Sequence, residues 1–332
     1  MAGVKLCEPT ELYNILNQAV KHSRLTEPNY LCLLDARTKR EYYASHLITA
    51  IKVKQNLLGK YTLPHSVELE CVRYCVVYDG NTDTLEAAFD MDYDLPELDE
   101  ELQDCEGDPE TLIEKRRLSP KFNAKSGSAA RCARVLQRFT RFPVWVLRGG
   151  YERFTACYHF LKTEKVSWMP RELEEILPYP VEIVPSKVYM GDYIQACNRQ
   201  MQKDLRIVAH VNVSGKMDIL FPEDSENILN VPIPDSPEGN MLPYFGKISH
   251  FIDRRARHGG VLVFSELGIS RCSAAILAYL IHSHNLNLKN AWSCLQKCKM
   301  NMRPNRALVQ QLSAWESKLF MTKITNISEP FY

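Results

Sequence analysis

The residues best suited to chemistry lie at positions 265–271, where an apolar stretch gives way to a turn and then to an Ala-rich apolar run. This pattern predicts a strand, a loop and the first turn of a helix. The backbone amides of such a loop, the helix N-terminus and an arginine together suit the binding of phosphate or another anion. The predicted phosphate-binding residues are Ser265, Glu266, Leu267, Gly268, Ile269, Ser270 and Arg271.

The whole chain sets limits on the class of protein that carries this loop. Its 332 residues are enough for two domains, each with its own core. A formal net charge of +1 gives no reason to expect nucleic acid or a membrane surface as the main partner. The apolar stretches are too short to span a bilayer, and residues 1–12 lack the apolar region of a signal peptide. We expect a cytoplasmic protein without membrane insertion, and the sequence leaves a mitochondrial pool open.

The eleven cysteines are scattered along the chain, and without a secretory signal we expect them to be reduced. Cys71 and Cys75 are four residues apart, as are Cys294 and Cys298. Neither pair is completed by a histidine or by a second cysteine pair, as a zinc site requires. We therefore expect neither a metal nor a cofactor.

Alternating apolar and helical patterns predict an α/β fold. Three buried strands are predicted at residues 30–34, 74–78 and 144–147, with a helix over 12–19. Strands that are apolar on both faces and alternate with helices are typical of a parallel sheet covered on both sides.

A second α/β pattern begins at Val181. It predicts a strand over 206–213, a helix over 244–257 and further helices from Ser270, Leu288 and Asn305. Between the two patterns, residues 161–182 contain three prolines and predict a linker with one short helix over 171–177.

Two charged segments lie in the first half. Residues 83–127 begin with a strongly acidic stretch, which indicates a solvated insertion or an acidic docking segment. A predicted helix over 128–141 follows, and its arginines are spaced to share one face: Arg131, Arg134, Arg138 and Arg141. This face is either solvated or a docking surface for an acidic partner segment.

Two motifs in the first half resemble the opening and closing motifs of rhodanese-like domains. They are Leu34-Asp35-Ala36-Arg37 with Glu41, Tyr42, Ser45 and His46, and Leu147-Arg148-Gly149-Gly150-Tyr151 with Phe154. The resemblance implies a rhodanese-like domain over residues 8–160. In that family a cysteine after the central strand carries sulfur, but this chain has Asp79 there. Because a carboxylate does not form a persulfide, we expect a binding module and not a sulfurtransferase.

Rhodanese-like modules of this kind precede the catalytic domain of MAP-kinase phosphatases, where adjacent arginines after the opening motif dock the kinase. The matching region, residues 52–60, has Lys52 and Lys54 but no run of arginines. These lysines are candidate docking residues, and the missing arginines argue against docking of a MAP kinase.

The second half resembles dual-specificity protein phosphatases over residues 183–320, which leaves 321–332 as a C-terminal tail. The motifs are Val188–Asp192, Val231–Asp235, Gly268–Arg271, Arg303–Asn305 and Gln311–Leu319. The resemblance implies that a cysteine thiolate attacks phosphorus, that loop amides and an arginine bind the phosphoryl oxygens, and that an aspartate protonates the leaving oxygen. Asp235 is at the position of that general acid.

The nucleophile position, however, holds Ser265, and the preceding histidine position holds Phe264. A serine hydroxyl needs a base, and the motif supplies none. We therefore predict a pseudophosphatase, not an enzyme, that binds phosphorylated or signalling proteins as a scaffold, competitor or regulator.

Two alternatives stay open. One is a weak phosphatase that uses Ser265 or Cys272, although Cys272 is expected to point away from the line of attack. The other is an interaction platform whose phosphate loop is empty because Arg271 binds backbone carbonyls.

Overall fold

The computed structural model describes residues 3–20, 22–56, 61–62, 67–85, 127–166, 168–216, 226–234, 236, 239–322, 324–328 and 332. Most of the insertion predicted over 83–127 lies outside these residues. No helix in the described parts of the chain is both long and apolar enough to cross a membrane.

The first half contains a five-stranded parallel sheet in the order β1-β6-β5-β2-β4, and β3 pairs with β7 antiparallel. Its elements are β1 (Val4–Cys7), α1 (Pro9–Leu16), a 3-10 turn (Arg24–Thr26), β2 (Leu31–Asp35), α2 (Lys39–Ala44), β3 (His46–Leu47), β4 (Ile51–Lys52), β5 (Tyr74–Tyr78), α3 (Ser128–Leu136), β6 (Val144–Leu147), α4 (Gly150–Cys157), a 3-10 turn (His159–Leu161) and β7 (Lys162–Thr163).

The second half contains another five-stranded sheet in the order β11-β10-β12-β9-β8, in which only β8 is antiparallel to its neighbour. Its elements are α5 (Pro170–Glu175), β8 (Val181–Val184), β9 (Val188–Asp192), α6 (Tyr193–Cys197), α7 (Arg199–Asp204), β10 (Ile207–Asn212), β11 (Ile228–Asn230), a 3-10 turn (Leu242–Tyr244), α8 (Phe245–Arg255), β12 (Gly260–Ser265), α9 (Arg271–Ser283), α10 (Leu288–Cys298) and α11 (Arg306–Phe320).

The α/β class and the buried strands β2, β5, β6 and β10 are therefore confirmed. The helix predicted over 128–141 was too long, because α3 ends at Leu136. Pro143 disfavours helical backbone at the residue before it, and β6 begins directly afterwards at Val144. Arg138 and Arg141 therefore lie beyond the helix and do not share a helical face with Arg131.

The two halves share one buried apolar core. Tyr13 and Phe154 of the first half belong to the same cluster as Tyr189, Leu262 and Phe264, which come from β9 and β12 of the second sheet. A separate cluster lies on the other face of that sheet, where α8, α9, α10 and α11 supply the apolar side chains. The first half therefore covers one face of the second sheet, and the C-terminal helices cover the other.

A buried carboxylate lies between the halves. Glu182 on β8 is fully buried, and the hydroxyl groups of Tyr158 and Tyr189 both donate hydrogen bonds to it. The Ser186 backbone amide donates a third, over 2.6 Å. These donors compensate for the loss of water around the carboxylate. Burial and the charge of Glu182 both raise the pKa of Tyr158, so this hydroxyl keeps its proton as a donor.

Asp79, which follows β5, caps helix α3. Its carboxylate accepts hydrogen bonds from the Thr82 amide (2.9 Å) and hydroxyl (2.6 Å), the Ser128 hydroxyl (3.2 Å) and the Ala129 amide (2.9 Å). A carboxylate at a helix N-terminus satisfies backbone donors and interacts favourably with the helix dipole. The negative charge of Asp79 therefore has a structural role at the position where the resemblance implies a sulfur-carrying cysteine.

Changing Asp79→Ala should lower the free energy of unfolding by about 2 kcal/mol, because it removes a buried, charged helix cap. Urea denaturation followed by circular dichroism measures the loss. Asp83→Ala is the matched control, since this exposed carboxylate makes only solvent-screened ion pairs with Arg148 and Arg153. Equal losses for the two variants would contradict a capping role for Asp79.

Candidate functional site

The predicted loop lies at the end of the central strand of the second sheet. Strand β12 runs between β10 and β9 and ends at Ser265, and α9 begins at Arg271. Because the three strands are parallel, their carboxyl ends meet at one edge of the sheet, where ligands bind in open α/β folds. All seven predicted residues, 265–271, therefore lie between this edge and the N-terminus of one helix. We call them the phosphate loop.

Gly268 fixes the shape of the phosphate loop. Its φ of +63° lies in the left-handed region that favours glycine. A Cβ atom built there would lie 2.8 Å from the carbonyl oxygen of Gly191 on β9, closer than side-chain atoms approach backbone. The Gly268 amide donates a hydrogen bond of 3.1 Å to the Ser265 hydroxyl. Both the backbone conformation and the space thus require glycine here.

Among the residues that the structure describes, the hydrogen-bond partners of Ser265 include neither a base nor a charged group. Its buried hydroxyl accepts the bond from Gly268 and donates to the Cys272 thiol, with 3.2 Å between Oγ and Sγ. Phe264, at the histidine position, is fully buried, and its ring centroid lies 6.3 Å from that of Tyr193. It contributes to the apolar core shared by the two halves.

Cys272 contacts Ser265 directly and is completely buried. Burial raises the pKa of its thiol, while the hydrogen bond from Ser265 and the charge of Lys299 oppose that rise. The thiol is therefore protonated near neutral pH, and the thiolate is the form that attacks phosphorus. Burial also separates its sulfur from solvent.

Arg271 begins α9 and is almost fully buried. Its Nη1 donates a hydrogen bond of 2.8 Å to the carbonyl oxygen of Ile233. This bond links the phosphate loop to the segment after β11, which leads to the predicted general acid. That residue, Asp235, lies outside the described part of the chain.

The rim of the phosphate loop combines an ion pair with exposed apolar side chains. Lys216 Nζ lies 2.8 Å from a Glu266 carboxylate oxygen and 4.5 Å from the centroid of the Tyr193 ring. Leu267 and Ile194 are each 70% exposed. A protein ligand bound at the loop would therefore meet both charged and apolar groups.

The candidate docking residues of the first half differ in exposure. Lys52 is half-buried, and its Nζ donates to the carbonyl oxygens of Asp35 (3.2 Å) and Val53 (2.9 Å). Burial lowers the pKa of Lys52, with the charge of Asp35 opposing that shift. Lys54 is exposed.

The arginines of α3 and the turn after it are mostly at the surface. Arg131, Arg138 and Arg141 are exposed, and Arg134 donates from Nη2 to the carbonyl oxygen of Leu85 over 3.0 Å. Within the described ranges, no group of three or more His, Cys, Asp or Glu side chains is arranged to hold a metal ion.

A second set of contacts around the phosphate loop could not be predicted from sequence patterns. The Arg303 amide donates to the Ile269 carbonyl oxygen, and the Asn305 amide donates to the Ser270 hydroxyl, each over 3.2 Å. The carboxyl end of the loop is thus attached to the segment between α10 and α11. The Arg303–Asn305 motif marked that segment without indicating which loop atoms it binds.

This architecture defines a phosphatase-type domain, and the comparisons with known proteins agree. Residues 188–318 match the family model described as dual specificity phosphatase, catalytic domain. Dual specificity protein phosphatase 18 of Bos taurus is 30% identical over 138 residues, which are 41% of this chain and 73% of that protein. The chain belongs to the dual specificity phosphatase family.

The chain is also similar to a probable rhodanese domain-containing dual specificity protein phosphatase of Dictyostelium discoideum. The two are 28% identical over 179 residues, 53% of this chain. The chain spans only 37% of that relative's length. Together with the family match, this likeness confirms the fold class: a rhodanese-like domain precedes a dual-specificity phosphatase domain.

Among solved structures, the second half is similar to the human tyrosine phosphatase-like serine/threonine/tyrosine-interacting protein. The sequences are 25% identical, and the match covers 42% of this chain and 95% of the other, with a TM-score of 0.36.

Changing Gly268→Ala should lower the free energy of unfolding by about 2 kcal/mol or more, because the new Cβ is strained and meets the Gly191 backbone. Gly246→Ala is the control, since a Cβ at this helical position meets only Trp315, at an ordinary contact distance of 3.5 Å. Chemical denaturation compares the variants. A Gly268→Ala protein as stable as Gly246→Ala would contradict the assigned loop geometry.

Proposed function

We propose that this protein is a catalytically inactive phosphatase homologue that binds phosphorylated proteins through its phosphate loop. It resembles the serine/threonine/tyrosine-interacting-like pseudophosphatases related to MAP-kinase phosphatases. Its role is that of a scaffold, competitor or regulator of signalling proteins, and the rhodanese-like domain acts as a further binding module.

The observation that carries the proposal is the pairing of Ser265 with Cys272. The serine hydroxyl donates a hydrogen bond to a buried thiol whose pKa is raised by burial. A protonated thiol does not accept the hydroxyl proton, so the pair does not generate an alkoxide. Phe264 in turn provides no nitrogen where the family's histidine orders the loop. Among the described residues, the contacts of Ser265 thus include the Gly268 amide and the Cys272 thiol but no base.

Phosphate binding needs a different set of groups, and these are retained. The left-handed Gly268, the N-terminus of the 13-residue helix α9 and the Arg271 guanidinium all remain. Backbone amides and a helix dipole stabilise an anion without a nucleophile. An arginine adds charge-assisted hydrogen bonds to phosphoryl oxygens. Loss of catalysis and retention of binding are therefore compatible in this loop.

A second candidate function rests on the bond from Arg271 to the Ile233 carbonyl. If the guanidinium keeps its backbone partner, the phosphate loop is empty and the protein is an interaction platform. The exposed arginines of the first domain and the apolar rim at Leu267 would then supply the contacts. The two candidates differ in whether binding depends on phosphate.

Changing Phe264→His together with Ser265→Cys should create phosphatase activity, provided that Asp235 acts as the general acid. We expect the double variant to hydrolyse p-nitrophenyl phosphate on the order of 10³-fold faster than the native protein, because a nucleophile and its supporting histidine act as a unit. The single variant Phe264→His is the control and should stay inactive. Hydrolysis by the native protein that Ser265→Ala abolishes would contradict the proposal and favour a weak phosphatase.

Binding of phosphopeptides separates the two candidate functions. Arg271→Ala should weaken the binding of a phosphotyrosine or phosphothreonine peptide by about tenfold or more, measured by fluorescence anisotropy against the unphosphorylated peptide. Arg257→Ala is the matched control and should bind as the native protein does, because this exposed arginine precedes the start of β12, at the opposite end of that strand from the phosphate loop. Equal binding by native and Arg271→Ala proteins would support the platform with an empty loop.

A further inference from the structure

The segment between α10 and α11 contacts both the first domain and the phosphate loop. We call residues 299–305 the connector. On one side, its Arg303 amide binds Ile269 and its Asn305 amide binds Ser270, as described above. On the other side, the Met300 amide and the Cys298 carbonyl immediately before the connector face α1 of the first domain.

A single buried side chain makes both contacts on the first-domain side. Gln18 Nε2 donates to the Cys298 carbonyl oxygen over 2.7 Å, and its Oε1 accepts from the Met300 amide over 3.2 Å. Nε2 also donates to the Asn14 carbonyl oxygen of α1 over 2.9 Å, which fixes the rotamer of the side chain. Gln18 is only 4% exposed. Its side-chain amide thus binds two backbone groups at the start of the connector.

Further contacts stabilise this end of the connector. The Asn301 side chain donates to the Ala19 carbonyl oxygen over 3.1 Å. The Met300 sulfur accepts weak hydrogen bonds from Arg24, Arg73 and Tyr74. All of these partners belong to the first domain, so the first domain surrounds residues 300 and 301.

Contacts within the second domain restrain the connector itself. Met302 is buried in the core of the second domain, and its amide binds the Lys299 carbonyl oxygen over 3.2 Å. Pro304 has a fixed φ, and the Asn305 side chain caps α11 by accepting from the Leu308 amide over 2.9 Å. The backbone is thus restrained at residues 302, 304 and 305, which lie between the contacts with the first domain and those with the phosphate loop.

We propose that Gln18 is a positioning residue for the phosphate loop: through the connector, the first domain holds Ile269 and Ser270 where their backbone can surround a phosphate. The inference rests on the proposed function for its ligand. The positioning itself is a property of the fold and can be measured without any ligand.

Helix α1, which ends two residues before Gln18, offers a matched control. Asn14 is also 4% exposed and also uses both atoms of its amide, donating to the Glu182 carbonyl oxygen (2.7 Å) and accepting from the Glu182 amide (2.8 Å). Its contact is with β8, at the opposite edge of the sheet from β11. Gln18→Met and Asn14→Leu are both close in volume to the native residue and remove two hydrogen bonds between the domains.

Two measurements on the full-length chain test the inference. The first is hydrogen exchange by mass spectrometry over residues 266–271 and 299–305. The second is calorimetric titration with inorganic phosphate. Gln18→Met should speed exchange in both segments by about tenfold and raise the Kd for phosphate by about tenfold. Asn14→Leu should speed exchange at 181–184 and leave the phosphate loop and the Kd unchanged.

Gln18→Asn keeps the test available if Gln18→Met does not fold. Its side chain keeps the amide but is one methylene shorter and does not reach both Cys298 and Met300, so an effect in the same direction is expected. The inference is overturned if the Gln18 variants leave exchange at 266–271 unchanged, or if Asn14→Leu speeds it equally. If the native chain binds no phosphate while Gln18→Met still speeds loop exchange, the proposed function fails and the positioning role stands.

Discussion

The close approach of Gly268 to the backbone of Gly191 is the constraint on which the candidate site depends. Parallel pairing of β9 with β12 sets Gly191 opposite Phe264 and Asp192 opposite Ser265. The loop after β12 must therefore turn tightly against the end of β9, and only a glycine with positive φ meets that condition. This turn directs the chain into α9. Its shape is set by backbone packing, to which the hydrogen bond from the Gly268 amide to the Ser265 hydroxyl is added.

Backbone packing explains how a loop of this shape forms with Ser265 and Phe264 at these two positions. Ser265 and Cys272 satisfy each other's polar groups inside the protein, and Phe264 fills space in the core shared by the two domains. Ser265 and Phe264 thus pack stably, because the buried serine hydroxyl has two hydrogen-bond partners and the buried phenylalanine ring has apolar neighbours. Arg271 remains at the start of α9, where its charge faces the segment that leads towards residue 235.

Local patterns were sufficient to predict much of this architecture. The buried strands follow from apolar runs, and the turn at Gly268 follows from the glycine itself. Both signals extend over only a few residues. The end of α3 at Leu136 was missed because the spacing of the arginines continues to Arg141, beyond the last helical residue. Gln18 and Cys298 meet across 280 residues of sequence, and Asp79 and Ser128 across 49. Polar residues that act by tertiary contact have no periodicity, so sequence alone did not identify them.

A single spectroscopic experiment tests the central claim, that the loop binds phosphate without hydrolysing its ester. Phosphorus NMR of a phosphotyrosine peptide mixed with the native protein detects both events in one sample. The account predicts a saturable shift or broadening of the peptide resonance that Arg271→Ala reduces, with no growth of an inorganic phosphate signal. An inorganic phosphate signal that grows in proportion to protein concentration and disappears with Ser265→Ala would contradict it.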